Sequence, residues 1–191
     1  VPADPPVAYG AALRDAVRLR LRSDVPVGTC LSGGLDSSSI VCVVRALADA
    51  GGAEPSLTYD AFSARHPGTP ADEGTFIDAV LRHTSFEGHS TTPDGRALVD
   101  DLEALVRHQG EPFGSLGVYS QYCVMRLARS HGVTVLLDGQ GADEVLAGYP
   151  MYAHYRLGDL VRSRRVWAAA RLARGLSRVQ DRKSTRLNSS H

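Results

Sequence analysis

The chain has 191 residues, 43% hydrophobic and 22% charged, with 19 Gly, 10 Pro and a formal net charge of zero. This excludes collagen-like, disordered and disulfide-scaffold chains and suffices for one core of ordinary size. No apolar run approaches the roughly 18 residues of a membrane-spanning helix, and the opening VPADPPVAYG has neither the basic nor the apolar stretch of a signal peptide.

Charge is unevenly placed. Residues 1–155 hold 11 Arg against 19 Asp and Glu, whereas 156–191 hold ten Lys and Arg against two Asp. A basic end can mark a nucleic-acid partner, but a solvated face of Arg-rich helices is the simpler reading, and no nucleic acid is expected. Cys30, Cys42 and Cys123 form no CxxC pair, which fits a reducing, cytoplasmic setting. Lys183 is the only Lys and Asn188 the only Asn, both within the last ten residues. This abrupt change, and its likeness to translated cloning adapter, leads us to expect a non-native tail over 182–191 and a partial domain over 1–181.

In chain order, 8–22 has the periodicity of an amphipathic helix. VPVGTCL at 25–31 reads as a buried strand, and the helix after it, at about 37–50, is ended by Gly51-Gly52. SLTYDAF at 56–62 is a second strand. A polar loop at 66–74 leads into a helix opened by Asp72-Glu73 and running to about His83. A short strand is expected at 86–91, a helix at 95–108, a turn-rich loop at 110–115, a helix at about 117–130 and an apolar strand at 133–137. Residues 151–180 read as helical. Strands alternating with helices predict an α/β fold with a parallel sheet and flanking helices, whose ligands bind in the turns beyond the strands' carboxyl ends.

Two of those turns carry chemistry. Ser32-Gly33-Gly34-Leu35-Asp36-Ser37-Ser38 lies between a strand and a helix. Its glycines permit a sharp turn and close backbone approach. The helix start and the hydroxyls of Ser32, Ser37 and Ser38 favour phosphate oxygens. Asp36 would repel a bare phosphate and makes sense as a Mg²⁺ ligand. Neither a Walker A loop nor a GxGxxG fingerprint is present. The second turn, Asp138-Gly139-Gln140-Gly141-Ala142-Asp143-Glu144, follows the strand at 133–137. Read alone, each turn could be no more than a capped helix start.

SGGLDSS resembles the PP-loop of the N-type ATP pyrophosphatases, enzymes with an adenine nucleotide alpha-hydrolase-like fold. Together with LDGQGADE…GY, about 100 residues on, it resembles the synthetase domain of glutamine-hydrolysing asparagine synthetases. His108-Gln109-Gly110-Glu111-Pro112-Phe113 is similar to a further segment of that family, with Gly110 where an acid is usual. Asp72-Glu73 is similar to its acid pair. The likeness covers roughly residues 8–160.

The resemblance implies ATP and Mg²⁺, with aspartate amidated to asparagine through β-aspartyl-AMP. It implies ammonia from a glutaminase domain that precedes this chain, and further synthetase residues beyond its end. The chain alone is expected to be at best an ATP-binding half-site. By motif position, Ser32, Gly33, Gly34, Asp36 and Ser37 would hold pyrophosphate and Mg²⁺. The backbone at Cys30 and the residue near Ala61, at the end of the second strand, would contact adenosine. Asp138 and Gly139 would line the nucleotide and acyl-adenylate site. Asp36 and Gln140 are the candidate catalytic residues, although Gln140 cannot be a general base where some members carry Glu. Asp143 and Glu144 would hold their loop in place.

Adenylating relatives of the β-lactam synthetase or lasso-peptide cyclase type use the same core on other carboxylates. A PP-loop tRNA-modifying enzyme and an inactive interaction module are more distant alternatives. The seven His residues show no metal-ligand spacing on any helix.

Overall fold

The computed structural model describes residues 3–52, 56–146 and 148–188, with side chains described to residue 177 except that of Pro150. The chain divides into two compact units, 1–140 and 141–191.

In the first unit, α1 (Pro5–Arg20) starts earlier than its apolar periodicity suggests. Asp4 caps it by accepting from the Val7 N–H, and prolines fill the first turn, where no N–H is needed. β1 (Val27–Cys30) leads into α2 (Leu35–Leu47), which widens into a π-type turn at Ala48–Gly52. There follow β2 (Leu57–Ala64), α3 (Gly74–Thr84), β3 (Glu87–Thr91), α4 (Gly95–Gln109), α5 (Gly117–Ser130) and β4 (Val135–Leu137).

The four strands are parallel, in the order β3-β2-β1-β4. The chain steps from β1 to β2 and β3 on one side, then returns to lay β4 on the other. The strand order therefore reverses between β1 and β4, which puts the topological switch point beside the carboxyl end of β1. Neither edge strand is long, a feature that protects against edge pairing.

Both faces of the sheet are covered, as a parallel sheet requires. One face carries Val17 and Leu21 from α1 and its exit, Val41, Val44 and Leu47 from α2, and Ile77 from α3. On the other, Phe62 of β2 packs with Val124 and Ala128 of α5 and with Val133. Leu105, Tyr119 and Cys123 join α4 to α5.

β2 is irregular. Val27 pairs with Leu57, but Thr29 pairs with Ala61, so two extra residues of β2 bulge out between them. Tyr59 lies in the bulge at φ +58°, a conformation that aromatic residues rarely adopt.

In the second unit, α6 (Ala142–Leu146) is followed by α7 (Pro150–Arg162) and α8 (Val166–Asn188). Helix α8 continues through residues 182–188, so the change in composition there is not a break in secondary structure; residues 189–191 of the expected tail lie outside the described residues.

Candidate functional site at the β1–β4 switch point

β1 delivers the chain to the Leu31–Gly34 turn. The Leu31 N–H donates to the Phe62 carbonyl (2.9 Å), and the buried Ser63 hydroxyl donates to the Leu31 carbonyl (2.6 Å). The turn is thus tied to the end of β2 on both backbone groups. Gly33 then takes φ +91°. A Cβ there would lie 3.0 Å from the Cβ and carbonyl oxygen of Glu73, so the position demands glycine for conformation and for space.

The serines organise the turn. The Ser32 N–H donates to Ser37 Oγ (3.1 Å), the two hydroxyls are 3.0 Å apart, and the Gly34 N–H donates to Ser32 Oγ (3.3 Å). Ser37 is buried and structural, whereas Ser32 is exposed. No side chain caps α2, whose N-cap is Gly34. No side-chain cap therefore competes with an anion for its first-turn N–H groups. The half-buried Asp36 carboxylate has no hydrogen-bond or ion-pair partner among the described residues. An unengaged carboxylate beside an uncapped helix start is chemistry that fits a divalent cation together with phosphate.

The second turn lies against the first. A Cβ on Gly139 would stand 2.8 Å from the Ser37 amide nitrogen and 3.1 Å from the Asp36 carbonyl carbon and Cβ. Asp138 is held from α5, where Gln121 Nε2 donates to its Oδ2 (3.0 Å). It also faces Cys30, whose thiol is pushed up to about 12 by burial first and then by the Asp138 carboxylate. Cys30 is thus a protonated thiol packed at the base of the crevice, not a nucleophile. Gln140 is exposed at the end of this turn.

The structure therefore gathers Cys30, Ser32, Gly33, Gly34, Asp36, Ser37, Asp138 and Gly139 around one open crevice. Ala61 differs from its expected place at the end of the second strand. It lies inside β2, fully buried between Thr29 and Gly88, with three strand residues beyond it. Its side chain belongs to the core, and the strand end that reaches the crevice is at Ser63.

Asp72 also differs from its expected place. Helix α3 opens at Gly74 with Glu73 as N-cap. Asp72 instead accepts from Arg65 Nε (3.0 Å), Arg65 Nη2 (3.1 Å) and the His66 N–H (2.9 Å), pinning the loop after β2. Arg65 lies so close over Gly74 that any side chain at 74 would meet the guanidinium. Sequence reasoning passed over Gln121 and Arg65, since nothing in a helix or loop pattern marks the carboxylate each will meet.

In the second unit Asp143 and Glu144 bind their own segment. The Asp143 carbonyl accepts from the Gly148 N–H (2.8 Å), and Glu144 accepts from the Tyr149 hydroxyl (2.8 Å). The Glu144 bond is made by its side chain, that of Asp143 by its backbone.

A parallel sheet with an uncapped Ser-Gly-Gly turn at its switch point defines a PP-loop protein of the adenine nucleotide alpha-hydrolase-like class. Comparison with known proteins is narrower: residues 8–190 match the asparagine synthase family model, and the chain belongs to that family. It is 37% identical over 151 residues to a candidate glutamine-hydrolyzing asparagine synthetase of Methanocaldococcus jannaschii, covering 78% of this chain and 28% of that protein. It is 34% identical over 142 residues to a glutamine-hydrolyzing asparagine synthetase of Bacillus subtilis (74% and 21%). Amidase chyE of Penicillium rubens is 31% identical over 147 residues (73% and 22%). The chain thus spans about a quarter of the length of these relatives. Among the described residues, no helix is long and apolar enough to cross a membrane.

Proposed function

We propose that this chain carries the ATP-adenylating site of a carbon–nitrogen ligase that amidates aspartate to asparagine. The observation that supports this best is the seating of Gly139 on the first turn of α2, which sets the two Gly- and Asp-rich turns side by side. The names of the bacterial and archaeal relatives support the choice of substrate.

The reaction proceeds in two displacements. A β-carboxylate oxygen of aspartate attacks the α-phosphorus of ATP, and the bond to the bridging oxygen breaks to release pyrophosphate. Ammonia then attacks the acyl carbon, AMP leaves, and the nitrogen loses a proton. Ammonia would come from glutamine through a domain outside this chain. Little covalent chemistry is asked of the residues on the first turn. They orient phosphates and offset the charge that gathers on the departing pyrophosphate. Ser32, the backbone from Gly33 to Ser37 and the helix start hold phosphate oxygens. Asp36 would hold Mg²⁺, which would supply charge neutralisation on the leaving group. Asp138 and Gly139 wall the nucleotide side. Gln140 would orient by hydrogen bonding, because an amide cannot take the proton that the nitrogen loses once ammonia has attacked.

ATP–pyrophosphate exchange tests this, run on the complete reading frame with aspartate, with no acid, and as Asp36→Ala. Aspartate-dependent exchange lost in the variant is the expected result. Absence of both exchange and Mg·ATP binding would overturn the reading. A second reading rests on the amidase relatives, about 30% identical to the chain. In it the same adenylating site serves a different carboxylate, and exchange appears only with that acid.

A further inference from the structure

Outside the crevice, strands β2 and β3 bring together three groups that no sequence spacing connects. Asp60 and Glu87 are register partners on adjacent strands, and His89 stands two residues further along β3. One ligand atom from each lies within 4.8 Å of the others, the one such trio among the described residues. His89 Nε2 is 2.8 Å from Asp60 Oδ1, and both side chains are mostly buried, at 14% and 19% exposure. The His89 ring is fixed by stacking on Phe62 at 5.0 Å.

The charge arrangement is unfavourable as it stands. Two carboxylates side by side on neighbouring strands repel. Glu87 has no hydrogen-bond or ion-pair partner among the described residues, and no Arg or Lys pairs with Asp60 there. Only an imidazole stands between the acids. A fourth donor is close by, since the His131 ring centroid is 4.2 Å from that of His89. With Nδ1 donating to the Leu127 carbonyl (3.0 Å), His131 keeps Nε2 as its free nitrogen.

We propose that Asp60, Glu87 and His89 bind one divalent transition-metal ion of the Zn²⁺ class, with His131 in reach of an open position. A nitrogen donor with two carboxylates suits zinc better than Mg²⁺, which favours an all-oxygen, largely hydrated shell. The ion takes the place of the proton shared by His89 and Asp60 and offsets the facing carboxylates. Glu87 opens β3, and His89 is level with Phe62 of β2, two strands across the sheet from Cys30 of the crevice. The trio joins the edge strand to its neighbour, so the ion's part is to staple that edge strand to the sheet.

The test is titration of chelator-stripped protein with zinc chloride, followed by calorimetry and by thermal unfolding. Expected is one saturable equivalent per chain with a rise in Tm. Glu87→Gln and His89→Gln should each weaken binding at least tenfold and abolish the Tm rise. The first changes an exposed, unpaired side chain, so its fold is safe, and circular dichroism checks the second. Asp36→Ala should keep the zinc equivalent. No saturable uptake, uptake unchanged in both Gln variants, or uptake lost in Asp36→Ala would each overturn the assignment; the last would move the ion to the nucleotide turn.

Discussion

Gly139 lies against Ser37 so closely that a methyl group on the glycine would stand 2.8 Å from the serine's backbone nitrogen. The neighbour is helix backbone, which cannot swing aside as a side chain can. Gly139→Ala should therefore push the second turn off the start of α2, at a cost of about 1–3 kcal/mol as in other overpacked sites. Because both turns wall the same crevice, Mg·ATP affinity should fall at least tenfold. Calorimetric titration with Mg·ATP, beside a thermal melt, checks both. Unchanged affinity would mean that the two turns do not act as one site.

Gly33 makes a different demand. At φ +91°, and with Glu73 3.0 Å from where a Cβ would sit, it is strained by any side chain. Gly33→Ala should cost about 1–3 kcal/mol, or a drop in Tm of several degrees for a chain of this size. Gly68 offers the control: its φ is +78°, but nothing lies within 4 Å of a Cβ there. Gly68→Ala should lose less in a parallel melt. Equal losses at both positions would show that the Glu73 contact does not matter.

The two chemical turns are legible in the sequence because their physics is local. Close-set glycines after a short apolar strand mark a tight turn, the helix that follows aims its N–H groups at it, and the resemblance of the two motifs to one family singled them out. Ala61 could not be placed by the same logic. Its position depends on the two-residue bulge around Tyr59, and no local pattern announces an aromatic residue at positive φ. Asp72 before a helix looks like a first-turn acid, yet its carboxylate is claimed by Arg65, seven residues back in the chain. The trio Asp60, Glu87 and His89 exists only through the pairing of β2 with β3. Long-range pairings of this kind leave no periodic trace.

The Arg65–Asp72 pair sets an acid-side pH dependence. Hydrogen bonds from Arg65 and then from the His66 N–H hold the Asp72 carboxyl below the ordinary carboxylate range. A carboxylate lowered in the folded state contributes stability that is complete above its unfolded pKa, near 4, and is lost as pH falls through the folded value. Asp72→Asn should therefore lower Tm at pH 7 and bring the variant's curve toward the parent's below about pH 4. Melts from pH 7 to about pH 2.5 decide it. Parallel curves over that range would mean that the carboxylate's charge contributes nothing.

Cys30 marks the floor of the crevice. Its burial, reinforced by the Asp138 carboxylate, pushes the thiol up to about 12. Alkylation proceeds through the thiolate, so at pH 8 the reactive fraction of Cys30 is about a thousandth or less of what an ordinary cysteine with pKa near 8.5 offers. Iodoacetamide at pH 8, followed by peptide mass spectrometry, should leave Cys30 unmodified in the folded chain and label it fully in urea. Asp138→Asn removes the facing charge but leaves the burial, which is the larger cause. Labelling in that variant should rise only slightly. Rapid labelling of the parent would place Cys30 in an open, polar environment and reopen a chemical role for it. Slow labelling that Asp138→Asn relieves in full would reverse the order of the two causes. The crevice floor would then be wet, with Asp138 rather than burial keeping the thiol protonated.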